Sequence, residues 1–234
     1  LIKNLNDIKK NYNLYFDYCG KFSNSFWKSE CYYVIADELT LLNNSDYFEQ
    51  INYACSKSDE YNYYSCHGHS AILMDIKLAE EFCESVPFDK KSFCYEGYGF
   101  KLGMEMNHSY EKVESECELI DQKNACFEGF FQSLSNKNTN NRPKFIFDTC
   151  KLVDQDKKEI CYFYYGKFLN NLIIEENFEI NQDNYCEKIP IEYQEDCHIG
   201  FSYGLDMTTK NSIVDSINIC KRSKFSKICM KGIL

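Results

Sequence analysis

The residues best able to do chemistry in this 234-residue chain are its 14 cysteines. At that density, thiols serve as metal ligands in a reducing compartment and as disulfides in an oxidising one. Structural zinc sites favour Cys-x2–4-Cys knuckles. The chain has no such knuckle, no Cys-x-x-Cys redox pair and no Cys-x-x-Cys-His haem motif. The cysteines therefore read as a disulfide framework, and the chain as extracytoplasmic: periplasmic, at the cell surface or secreted. No metal and no cofactor are expected.

Other candidates are weaker. Ser25-Phe26-Trp27-Lys28 matches the Ser-x-x-Lys of penicillin-recognising enzymes, but the Ser-Asp-Asn and Lys-Thr-Gly elements that this chemistry also uses are missing. Trp27 is expected to pack in a turn. Met104, Met106 and His108 (MEMNH) offer soft copper ligands, yet read as loop residues after a helix. His67 and His69 are spaced i,i+2, so they do not share a helical face. Carboxylates cluster at Glu80, Glu81 and Glu84, and at Glu114, Glu116 and Glu118; these read as solvated faces. Gly97 and Gly99 lack the further glycines and the strand of a phosphate loop. Asn43 and Asn107 fit the N-glycosylation sequon, which carries no meaning in a bacterial protein.

The elements that must position these residues repeat along the chain. The cysteines form seven pairs: Cys19/Cys31, Cys55/Cys66, Cys83/Cys94, Cys117/Cys126, Cys150/Cys161, Cys186/Cys197 and Cys220/Cys229. Members of a pair lie 9 to 12 residues apart, and first cysteines recur about every 34 residues. That period is typical of helix–turn–helix repeats. Pro87 and Pro190 share a repeat position, four residues after the first cysteine, so the first helix ends near that cysteine. After the second cysteine, offsets 1, 4 and 8 are mostly apolar, as in Tyr95, Tyr98 and Leu102. Those offsets mark one face of an α-helix. Offset 5 is mostly small: Ala36, Ala71, Gly99, Gly166, Ser202. Small residues there and at Gly97 leave room for a neighbouring helix.

Each unit is then an αα-hairpin, with its first cysteine in the last turn of one helix and its second in the first turn of the next. Antiparallel helices bring such cysteines within disulfide range. One local bond per hairpin is predicted. Pairing between neighbouring repeats is the alternative, and its more variable gaps speak against it. The short gap between Cys66 and Cys83 requires short or tightly joined helices. The stretches 135–143 and 181–184 read as polar turns. The last hairpin has only five residues beyond Cys229, so its second helix is expected to be short. A single domain over 1–234 is expected: a right-handed α-solenoid of about seven stapled hairpins.

The pattern resembles the tetratricopeptide-related α-solenoids, especially Sel-like repeats of secreted cysteine-rich bacterial proteins. CELIDQKNACFEGFFQSL (117–134) and CYEGYGFKLG (94–103) carry the likeness, which covers nearly the whole chain. The cysteines are more widely spaced than is usual there, and the family's Ala-x-x-x-Leu-Gly-x-x-Tyr pattern is not cleanly reproduced. The resemblance implies the architecture. It also implies an alternative function, an enzyme acting on a cell-wall or β-lactam-like substrate.

Formal net charge is −10, which argues against binding nucleic acid or an anionic membrane surface. No apolar run reaches the length of a membrane span. The chain begins at Leu1 without a signal-peptide pattern, so a processed or trimmed chain is expected. Stacked repeats create extended concave surfaces, and tyrosine supplies large contact area at low entropic cost. Tyr33, Tyr63, Tyr164 and Tyr203 lie off the core-facing offsets and are the binding candidates. The expected role is non-enzymatic: a module or scaffold that binds a protein or peptide with basic or aromatic groups. A structural subunit of a surface assembly is a further alternative.

Overall fold

The computed structural model describes residues 5–58, 65–137, 142–176, 185–208, 220–221 and 226–231, with side chains described over 11–58, 65–137, 142–169, 185–203 and at 220, 221, 227, 228 and 230. The described residues are helical, with no strand among them. Contacts divide the chain into two compact units, Leu1–Phe130 and Phe131–Leu234.

The first unit holds four hairpins. They are α1 (Leu5–Gly20) with α2 (Ser25–Thr40), α3 (Phe48–Ser58) with α4 (Cys66–Leu73), α5 (Ile76–Ser85) with α6 (Lys91–Glu105), and α7 (Tyr110–Cys117) with α8 (Lys123–Ser133), whose C-terminal end crosses the unit boundary. The second unit holds α9 (Arg142–Leu152) with α10 (Lys158–Glu176), a helical turn at 185–186 before α11 (Gln194–Thr208), and α12 (Ser226–Lys231).

Six staples close these hairpins: Cys19–Cys31, Cys55–Cys66, Cys83–Cys94, Cys117–Cys126, Cys150–Cys161 and Cys186–Cys197. Their Cα atoms are 5.2 to 5.7 Å apart, within the range a disulfide spans. Cys220 is also disulfide-bonded, but the side chain of Cys229 lies outside the described residues.

Helix ends follow local chemistry. Asn24 caps α2, its side chain accepting from the Trp27 amide at 3.1 Å. Ser65 caps α4 through the Gly68 amide at 3.4 Å, and such caps satisfy donors that the helix itself cannot. Pro87 and Pro190 each precede a short 3-10 turn that leads into the second helix of the hairpin. α6 and α11 begin three residues before their cysteines, which thus lie in the first turn as expected, whereas α2 begins six before Cys31, which therefore lies in its second turn. The expected loop at 135–143 is also shorter. Ser135 and Asn136 are in a 3-10 turn, and Arg142 and Pro143 already belong to α9. α4 and α5 are short, at 8 and 10 residues, and only Met74 and Asp75 join them.

The apolar face forms the core. At offset 1 from the second cysteine, Tyr32, His67, Tyr95, Phe127, Tyr162 and His198 are all buried. Offset 4 is buried likewise, from Ile35 to Phe201, and offset 8 from Leu39 to Leu169; Leu205 and Ile233 fall outside the described side chains. Glycines let second helices meet backbone to backbone. A Cβ on Gly97 would collide with the carbonyl of Gly68, and one on Gly99 with that of Cys126. A Cβ on Gly129 would strike the carbonyl of Glu96. In the second unit, Gly166 meets the Cys197 carbonyl and Gly200 the Phe163 carbonyl in the same way. The pattern of small residues lapses at the unit boundary, where offset 5 is Phe131 and offset 3 of the next repeat is Tyr164.

Candidate functional site

Tyr33 lies on α2, between the buried Tyr32 and the exposed Val34. Its ring stacks on His69 of α4, with centroids 5.4 Å apart. The Nδ1 of His69 lies 2.9 Å from Oδ1 of Asp37, one turn further along α2. This hydrogen bond raises the His69 pKa above its ordinary value, against an opposing effect of burial. Tyr33, Asp37 and His69 thus form a half-exposed cluster that can carry a proton and present an aromatic edge. The neighbouring His67 points the other way, into the core, where it stacks on Phe82.

Tyr164 and Tyr203 come together in the second unit. Nζ of Lys167 sits 5.2 Å from the Tyr164 ring centroid and 5.5 Å from that of Tyr203. Phe163 packs against both tyrosines. Tyr203 is 41% exposed, whereas Tyr164 is only 9% exposed. By its offset from Cys161, Tyr164 is expected off the core. The correction has a local cause: Tyr164 stands edge-on to Phe163, with the Lys167 ammonium over its ring. Long cationic side chains often cover apolar surface in this way. Tyr63 lies outside the described residues.

An acidic group stands on the same helix pair. Burial, with the charges of Glu159 and Glu195, holds the Asp196 carboxyl above the usual carboxylate range. Elsewhere, carboxylates serve the packing. Glu84 accepts from the Tyr95 hydroxyl and from Lys91 at 2.8 Å. Lys91, followed by Tyr95, holds Glu84 below its usual range. Tyr110 donates to Glu114 in the same manner. Glu80 and Glu81 are exposed on α5.

Ser25 opens α2 in an exposed position, with the half-buried Lys28 one turn on. Trp27, between them, is 59% exposed, which corrects the expectation that it packs into the turn. The N-cap at Asn24 turns α2 so that Ser29 and Tyr32, rather than Trp27, face inward. Met104 is inside α6, while Asn107 and His108 follow it in the left-handed region, at φ 55° and 61°. Among the described residues, no cluster of three or more His, Cys, Asp or Glu side chains could hold a metal ion.

Neither sequence nor spacing announced the Tyr33–His69 stack or the Lys167 bridge. Both depend on the rotation of one helix against the next, and the usable signal was the i,i+4 spacing of Tyr33 and Asp37. No family model, curated protein or solved structure matches the chain.

Proposed function

We propose that the chain is an extracytoplasmic helical-repeat protein that binds a protein or peptide segment and is not an enzyme. The architecture proposed is a right-handed solenoid of about seven stapled hairpins, similar to the Sel-like branch of the tetratricopeptide-related repeats. Six local disulfides support an oxidising compartment. No described helix is long and apolar enough to cross a membrane.

One observation carries the binding reading: the aromatic surface that Phe163, Tyr203 and Lys167 form on α10 and α11. Aromatic rings that frame a cation offer large contact area on one surface. The acidic Glu159–Glu195–Asp196 group on the same helices suits a segment that also carries basic residues. Pull-down from the native envelope tests this reading. Wild-type chain should retain a discrete protein partner. Tyr203→Ala and Lys167→Ala should each weaken capture roughly tenfold, as expected for a contact worth about 1.4 kcal/mol. Equal capture by both variants would overturn the reading.

A further inference from the structure

Every hairpin whose turn is described carries an exposed apolar side chain at that turn. The first hairpin carries Phe26 and Trp27, at 46% and 59% exposure. The third and fourth carry Phe88 and Leu119, at 83% and 81%. In the second unit, Leu152 and Ile191 occupy the repeat positions of Leu119 and Phe88 and are 68% and 82% exposed. Scattered single apolar residues need no explanation. Their recurrence at the turn of each stapled hairpin does.

The first turn is the most developed. Tyr18 and Phe22 pack edge-on at 5.5 Å, and Phe26 and Trp27 at 5.1 Å. Trp27 is the chain's one tryptophan. Lys21 and Lys28 flank the aromatic side chains, and among the described residues no ion pair engages either lysine. The N-cap bond from the Trp27 amide to Asn24 holds the pair at the rigid start of α2. The turn is thus aromatic and locally cationic in a chain whose net charge is −10.

Within the first unit the described turns share one end. Connections between successive helices are short, so neighbours run antiparallel and alternate helices run the same way. Phe26, Trp27, Phe88 and Leu119 therefore project from the same end of that unit. A protein partner would favour one contiguous patch with a central anchor. Separate apolar tips on one edge, with tryptophan and tyrosine beside free lysines, match the chemistry of a bilayer interface. There, amphipathic rings sit among the headgroups and lysines meet phosphate.

We propose that this edge docks on a lipid bilayer, with Phe26 and Trp27 as the main inserting pair and Lys21 and Lys28 on headgroup phosphates. Docking by insertion is compatible with the acidic net charge, because it relies on local apolar burial and not on a broad basic field.

The test is sedimentation of the oxidised full chain with phosphatidylcholine vesicles, followed by Trp27 fluorescence. The chain should co-sediment, and Trp27 emission should shift to shorter wavelength and be quenched by lipids brominated on the acyl chain. Phe26→Ser and Trp27→Ser should each weaken partitioning roughly tenfold, in keeping with the apolar area that each would lose. Phe88→Ser should weaken it less, and helical circular dichroism should be unchanged in all three. Absence of co-sedimentation, unchanged emission with vesicles, or full binding by Phe26→Ser would each overturn the proposal. So would capture by a protein through this edge without lipid binding.

Discussion

Gly129 has the carbonyl of Glu96 where its side chain would stand. A methyl group there forces α6 and α8 apart, and overpacking of this kind costs about 1–3 kcal/mol. Gly129→Ala is therefore expected to lower the urea midpoint. Gly20→Ala is the control: its Cβ would make only an ordinary 3.6 Å contact with the Tyr32 hydroxyl, so stability should change by roughly 0.5 kcal/mol at most. At the Asp37–His69 pair the effect depends on pH. Asp37 raises the folded-state pKa of His69. The pair's contribution is thus fully present below the unfolded histidine value of about 6.5 and is lost as pH rises through the higher folded value. Asp37→Asn should destabilise the protein more at mildly acidic pH than at mildly alkaline pH, as urea unfolding at the two conditions would show. The identities at offsets 1, 4 and 8 made the buried face legible in the sequence, because helical period alone selects those positions. The burial of Tyr164 and the exposure of Trp27 were not legible. The first depends on how Lys167 lies across a ring, and the second on the angle at which Asn24 starts its helix.

At the scale of elements, the staple and the hairpin stabilise each other. α7 is eight residues long, and isolated helices of that length are not stable in water. Its last residue, Cys117, is bonded to Cys126 nine positions on. Closing so short a loop stabilises by roughly 2–3 kcal/mol in the chain-entropy account. Replacing both cysteines by serine should cost about that much and should speed amide exchange first in residues 110–117, read by mass-resolved hydrogen exchange. The hairpins could be read from cysteine spacing because a staple near the turn fixes which residues face each other. The entry into each second helix could not. The 3-10 turns after Pro87 and Pro190 come from backbone geometry that a helical period does not encode.

At the scale of the whole molecule, the described cysteines are all consumed in disulfides, with no free thiol among them. Peptide mapping without reductant should recover each of the six described pairs as a linked species, and alkylation of the unfolded chain should label no cysteine of those pairs. The repeat organisation was visible because fourteen cysteines mark it at regular intervals. The division into two compact units was less visible, since only the substitution of Phe131 and Tyr164 for small residues hints at it.

The staples also decide what a cut does. Lys90 and Lys123 lie between bonded cysteines, as do Lys21, Lys28 and Lys188. A protease that opens the chain at one of these turns severs the backbone but not the molecule. The nicked protein keeps its mass on a gel until reductant is added, and the hairpin on either side of the cut stays in register. A chain built in this way can be cut at its exposed turns and continue as one particle.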